Sequence, residues 1–271
     1  MIKLIAFDLD DTCLNWNNRL TPVTLAALKK AAASGVEIVF ATGRSYEALP
    51  YQLKEETFFR YVIASNGACI VDRHTGEVIY QSYIPADTAM TILKEAKERG
   101  LGITVHEDRR HVVEGRKLLL LGRFLYGRDS KTILCVRNMS QYIREKQDKI
   151  EEIHLFFFRK NKRKKAEDLR REFPSLHIPM SRFCAELVTK STTKGSALEW
   201  LYRQLGLCQM EVACVGDGEN DIPMFEKSGL RFAVNNAKSR LKALAHFVVP
   251  NNSKNGVRVA IENVLRINAI K

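Results

Sequence analysis

Four short apolar runs constrain the fold most: KLIAFD (Lys3–Asp8), VEIVFAT (Val36–Thr42), RYVIAS (Arg60–Ser65) and EVACVGD (Glu211–Asp217). Each ends in polar residues, and helical patterns lie between them. Strands that are apolar without alternation are covered on both faces, and strands alternating with helices build a parallel sheet between helical layers. Thr21-Pro22 supplies an N-cap and a first-turn proline for a helix through Ala33, closed by Gly35. SYEALPYQLKEE (Ser45–Glu56) reads as a helix broken near Pro50.

After Asn66-Gly67 the rhythm changes. ACIVD, the turn RHTG and EVIYQS read as a hairpin, and helices mixed with strands such as GITVHE and EIHLFFFR follow up to Thr189. Beyond Lys190 the first rhythm returns: a helix from Lys194 to Leu205, the strand EVACVGD, a helix from Asn220, the strand RFAVNN, a helix over Ser239–Ala245, the strand HFVVP and a final helix over Val257–Arg266. The expected fold class is therefore α/β: a doubly wound, Rossmann-like parallel-sheet core from residues 1–80 and 190–271, with an α+β domain, 81–189, inserted between the halves. A chain of 271 residues has room for one large or two modest domains.

Asp8 is charged too early for a secretory h-region, and no apolar run reaches the roughly 18 residues of a membrane span. A cytoplasmic protein with no membrane partner is expected. The six cysteines show no C-x-x-C pair, so reduced and mostly buried thiols are expected. Lysine and arginine number 43 against 31 acids, a net charge of +12 that favours anionic partners. Much of the excess lies in RKNKRKKAEDLRRE (Arg159–Glu172). Its interspersed acids read as a solvated helix face rather than a nucleic-acid interface.

Ligands of open parallel sheets bind at the carboxyl ends of the strands. Asp8 and Asp10 follow the first strand, Thr42-Gly43-Arg44 the second and GDGEND (Gly216–Asp221) the strand EVACV, while Lys194 opens a helix. Asp8, Asp10 and Asp217 would supply hard oxygen ligands for Mg2+, which removes the repulsion among them. An ionised Asp8 beside a phosphate could attack phosphorus, and Asp10 could protonate the leaving oxygen and then deprotonate a water. Thr42, Gly43 and Lys194 offer a hydroxyl, an unshielded N–H and a compact charge to the phosphoryl oxygens. Asp221 could orient Lys194 or a metal-bound water. The two glycines of GDGEND read as tight-turn residues.

DLDDT, TGR, Lys194-Gly195 and GDGENDIPMF together resemble the motifs of the haloacid dehalogenase superfamily, specifically the Cof-type phosphatases with a large cap domain inserted after the third strand. The resemblance covers essentially the whole chain. It implies Asp8 as nucleophile and Asp10 as general acid/base. It implies Thr42 and Lys194 as phosphate binders, Asn220 as a phosphate or substrate contact, and Asp8, Asp217 and the Asp10 backbone carbonyl as magnesium ligands. SNGA (Ser65–Ala68) resembles the family's segment leading to the cap, and Asp11 stands where many Cof-type members carry glycine. The implied function is a magnesium-dependent phosphatase of small phosphorylated metabolites, sugar phosphates or phosphorylated cofactors, acting through an aspartyl-phosphate. No nucleic acid and no obligate protein partner is implied. Three competing functions are a phosphomannomutase-like phosphotransferase, a signalling receiver and a basic nucleic-acid-binding protein. The acid/base two residues after the nucleophile and the inserted domain argue against a receiver.

Overall fold

The structure, a computed structural model, describes residues 1–146, 149–180 and 183–270. The chain forms two compact units, one of Met1–Gly43, Pro50–Tyr80 and Thr193–Lys271, the other of Arg44–Leu49 and Gln81–Thr192.

The first unit begins with β1 (Leu4–Phe7) and a tight five-residue turn, Leu9–Cys13. Helix α1 (Pro22–Ala33) starts where Thr21 Oγ1 accepts the Thr24 N–H at 3.1 Å, with Pro22 in the first turn. There follow β2 (Glu37–Ala41), the short α2 (Tyr51–Lys54), β3 (Tyr61–Ala64), β4 (Cys69–Asp72) and β5 (Glu77–Gln81). The helix expected to break near Pro50 does so and forms two short pieces. Tyr46–Ala48 makes a single turn that belongs to the other unit, and the ring of Pro50 starts α2 afresh.

The second unit contains α3 (Ala86–Glu98), β6 (Gly102–Glu107), β7 (Arg110–Glu114), α4 (Arg116–Tyr126), β8 (Leu134–Val136), α5 (Met139–Lys146), β9 (Ile150–Phe156), α6 (Lys160–Glu172), β10 (Leu176–His177) and β11 (Cys184–Thr189). The chain then returns to the first unit through α7 (Lys194–Gln204), β12 (Val212–Gly216), α8 (Ile222–Glu226), β13 (Leu230–Val234), α9 (Ser239–Leu244), β14 (Phe247–Val249) and α10 (Gly256–Ala269).

In the first unit the strand order is β14-β13-β12-β1-β2-β3-β4-β5. From β14 to β3 every pairing is parallel, and β4 joins β3 antiparallel. β1 lies in the middle, with Phe7 level with Val215 on one side and Phe40 on the other. All four residues of β1 are buried, as expected of a strand covered on both faces. This register brings the residues just past β1, β2 and β12 to one sheet edge.

In the second unit the order is β10-β11-β9-β6-β7-β8. Ile103, Val105, Val112, Ile153, Leu155, Ala185 and Leu187 share one face and pack with Ala89, Ile92 and Leu93 of α3 and Ala166 and Leu169 of α6. The alternating positions Thr104, His106, His111, Glu152 and His154 occupy the opposite face, and all are buried. β9 ends at Phe156, so Phe158 lies beyond the strand and is exposed. The basic run forms α6, which buries only Ala166 and Leu169 and leaves most of its charges solvated. Cys13, Cys69, Cys184 and Cys214 are buried. Among the described residues no helix is long and apolar enough to cross a membrane.

Candidate active site

Asp8 is the first residue after β1, and its N–H donates to Val215 O at 3.0 Å, which continues the sheet ladder up to the site. Its carboxylate is only 5 % exposed, and Oδ1 accepts from Lys194 Nζ at 2.5 Å. Lys194 stands at the first position of α7, where Thr193 and Ser196 form a reciprocal cap, and it is itself 1 % exposed. Its ammonium donates a second bond, 2.8 Å, to Asp221 Oδ1. The other Asp221 oxygen accepts the N–H groups of Asp217 and Gly218, both at 2.9 Å. Asp221 is thus held by its own loop and by the lysine, and it fixes the ammonium that contacts Asp8.

Asp217 follows β12, and its Oδ1 accepts from Thr12 Oγ1 at 2.9 Å. The carboxyl oxygens of Asp8, Asp217 and Asp221 converge, with one from each lying within 4.8 Å of the others. The resemblance implies Asp8 and Asp217 through their carboxylates and Asp10 through its backbone carbonyl. Asp10 is absent from the converging set: it lies in an extended conformation (ψ 132°) inside the Leu9–Cys13 turn, just before Asp11 enters the left-handed region at φ 58°.

Burial favours the protonated form of each carboxyl. For Asp8, burial is the largest influence and raises the pKa well above the ordinary carboxylate range; Lys194 opposes it, and Asp221 and Asp217 add to it. Asp217 is pushed up to about 6 by burial and by the Asp221 charge, against the Thr12 hydrogen bond. Burial works against charge on Lys194, but Asp221 and Asp8 outweigh it and hold the ammonium above its usual range. The site holds one buried cation against this acidic cluster. Its donor set is hard oxygen throughout, which fits a small divalent cation such as Mg2+.

Thr42 follows β2 and is fully buried, its carbonyl accepting the Asn66 N–H at 3.0 Å. A Cβ at Gly43 would stand 3.3 Å from the Asn66 amide, so glycine leaves room for that side chain. Asn66, in the left-handed region at φ 54°, accepts at Oδ1 from Asn220 Nδ2 at 3.0 Å. The structure therefore gathers Asp8, Thr42, Gly43, Lys194, Asp217 and Asn220 in the first unit, at the carboxyl edge of its sheet. The glycines of GDGEND are not at positive φ. A Cβ on Gly216 would lie 2.6 Å from Asp221 Oδ2, and one on Gly218 2.6 Å from Asn220 Oδ1. They make room for the side chains of their own loop rather than for a left-handed turn.

A family model described as haloacid dehalogenase-like hydrolase matches residues 5–261, a span that includes every one of these residues. The chain belongs to that family. Among relatives of this haloacid dehalogenase-like hydrolase, phosphatase YwpJ of Bacillus subtilis is 28% identical, the match covering 97% of this chain and 100% of the relative. An HMP-PP phosphatase of Serratia proteamaculans is 28% identical over 90% of this chain and 88% of its own. The fold matches that of a crystal structure of a haloacid dehalogenase-like hydrolase from Bacteroides thetaiotaomicron, with a TM-score of 0.86 at 22% identity, covering 97% and 100% of the two chains.

Two residues of this hydrolase's site carry no assigned role in the sequence reading. Thr12 and Asn66 sit inside the quoted motifs DLDDT and SNGA, and each holds another site residue, Asp217 or Asn220, through one hydrogen bond. Their signal was position within a motif, with nothing local to specify a partner 205 or 154 residues away. Arg44 of TGR belongs to the second unit. It is buried there with Asp129 (3.0 Å), donates to Ala48 O and lies over the Tyr126 ring, 5.0 Å from its centroid.

Proposed function

We propose that this hydrolase cleaves phosphate monoesters of small cytoplasmic metabolites, with the phosphoryl group passing through Asp8. The observation that carries the reading is the Asp8 carboxylate, buried at the end of the central strand and held by a lysine that Asp221 fixes. One Asp8 oxygen is engaged by Lys194, and the other is the nucleophile. As the bond from Asp8 to phosphorus forms, the bond from phosphorus to the ester oxygen breaks, and the Asp10 carboxyl gives its proton to that oxygen. Asp10, now a carboxylate, accepts a proton from water as its oxygen attacks phosphorus, which releases Asp8 and inorganic phosphate. Lys194, the Thr42 hydroxyl and the Gly43 N–H hold the phosphoryl oxygens, and Asn220, steadied by Asn66, contacts the phosphate or the substrate beside it.

Asp8, Asp217 and the Asp10 backbone carbonyl would hold Mg2+, which supplies charge neutralisation for the carboxylates and the phosphate. Asp221, held by its loop and by Lys194, serves as a positioning residue. The inserted segment, residues 81–189, is the cap that selects the substrate.

The test is phosphate release from a panel of phosphorylated metabolites with magnesium, comparing the parent with Asp8→Asn. Release of inorganic phosphate by the parent and none by the variant supports the reading. Transfer of phosphate to a sugar acceptor with no inorganic phosphate formed would replace it with the phosphotransferase. Turnover retained by pure Asp8→Asn removes Asp8 as nucleophile.

A further inference from the structure

The second unit buries three imidazoles and a carboxylate on one face of its sheet. His106 and His111 are direct cross-strand partners on β6 and β7, and Glu152 stands opposite His106 on β9, two residues before His154. The His106 and His154 rings are 4.6 Å apart between centroids, and those of His106 and His111 4.8 Å. His106 Nδ1 lies 3.4 Å from Glu152 Oε2, and His154 Nε2 lies 3.2 Å from Glu152 Oε1. One donor atom from each of His106, Glu152 and His154 lies within 4.8 Å of the others.

Two imidazole nitrogens of this face have no hydrogen-bond partner. His154 Nε2 is buried 3.2 Å from Glu152 Oε1 without a well-formed hydrogen bond. In tetrahedral geometry, bonds of about 2.0–2.1 Å to zinc place neighbouring donors roughly 3.3 Å apart. Each imidazole lies at about that spacing from one Glu152 oxygen, 3.4 Å for His106 and 3.2 Å for His154, and one donor atom of each residue lies within 4.8 Å of the others. His111 Nε2, on a side chain only 5 % exposed, likewise has no hydrogen-bond partner. A buried polar atom left so is costly unless something meets it.

We propose that His106, Glu152 and His154 form a binding site for a zinc-class divalent metal ion inside the second unit, separate from the carboxylate cluster around Asp8. Two imidazoles and one carboxylate suit Zn2+ or Co2+ rather than Mg2+, which prefers an all-oxygen shell. Three protein ligands leave a fourth position open, and His111 supplies the next nearest imidazole. The ion ties β6 to β9, the most central pair of this sheet. Its binding displaces any proton on His154, so uptake releases acid.

The test uses the full chain, stripped with a chelator and returned to buffer with millimolar Mg2+ so that the carboxylate cluster does not compete. Titration with Co2+ is expected to give one ion per chain with the intense visible bands of four-coordinate cobalt, abolished by one equivalent of Zn2+. His106→Ala and His154→Ala should each weaken this binding by at least about tenfold, since even residues behind a ligand are worth that much. If these variants do not fold, the zinc-edge X-ray absorption spectrum of the unaltered protein decides, because imidazole ligands add a distinct outer-shell scattering pattern. Failure to bind Co2+ in the presence of Mg2+, the weak bands of an all-oxygen octahedral ion, affinity unchanged by both substitutions, or a zinc shell without imidazole would each overturn the site.

Discussion

Asp217→Asn separates what this site costs in stability from what it does in chemistry. The Asp217 carboxyl rises from an ordinary 3.8 to about 6 in the folded chain, first through burial and then through the Asp221 charge. A group whose folded pKa lies above its unfolded value favours the protonated native state, so the native chain loses stability as pH climbs from the unfolded pKa through the folded one. The loss is absent below about pH 4 and nearly complete at pH 7. At about 1.4 kcal/mol per pKa unit, the carboxylate costs the magnesium-free protein on the order of 3 kcal/mol at pH 7. Asparagine keeps an oxygen for the 2.9 Å bond from Thr12 and carries no charge. In EDTA at pH 7 the variant should therefore be the more stable protein by about 2–3 kcal/mol, and near pH 4 the two should coincide. Urea unfolding followed by circular dichroism across that range measures the difference, and turnover with magnesium should be lost in the same variant. Equal stabilities at pH 7, or a gap that does not close on acidification, would refute the reasoning.

Lys194→Met should be destabilising by about 3–5 kcal/mol at pH 7, because it strips the shared cation from two buried carboxylates, and thermal melts should show the deficit shrinking as acid protonates Asp8, whose pKa burial raises. EDTA should silence phosphatase activity, Mg2+ should restore it and Ca2+ should inhibit, since Ca2+ prefers more ligands in looser geometry; full activity in metal-free buffer would contradict the oxygen site. Asp10→Asn should lower turnover by about 10²–10⁴-fold, and intact mass after an acid quench should show about 80 Da on the protein when p-nitrophenyl phosphate, whose leaving group scarcely needs a proton, is the substrate.

The site was legible in the sequence to the extent that it is built from strand ends. Asp8, Thr42 and Asp217 each stand immediately after a short apolar strand, and a parallel sheet brings such positions to one edge whatever lies between them in the chain. Lys194 was legible for a related reason, as the first residue of a capped helix. What the pattern could not give was pairing at a distance. Asp8, Asp10 and Asp217 were read from strand ends as oxygen ligands, Asp10 through its backbone carbonyl, and the side chain that converges with those of Asp8 and Asp217 is Asp221. The break of the helix around Pro50 was legible from the proline. The allegiance of Arg44–Leu49 to the other unit was not, since it depends on a buried ion pair with Asp129, 85 residues on.

The histidine face of the inserted unit was hidden for a further reason. GITVHE and EIHLFFFR reveal strands, and alternation places His106, Glu152 and His154 on one face of each strand. It cannot say that β6 and β9 are neighbours, or that Glu152 falls level with His106, because register between strands more than 40 residues apart is fixed by tertiary packing. The bulge between His106 and Glu107 makes the point directly. It shifts the pairing by one residue, so Glu107 stands opposite Ile150 while His106 stands opposite Glu152, and Glu151 is left between them with its carboxylate on the Arg109 N–H at 2.6 Å. Without that extra residue on β9, continuing the pairing of His106 with Glu152 would set Glu151 opposite Glu107, two carboxylates side by side. The bulge removes that conflict, and it lies beside the His–Glu–His face that the proposed metal would occupy.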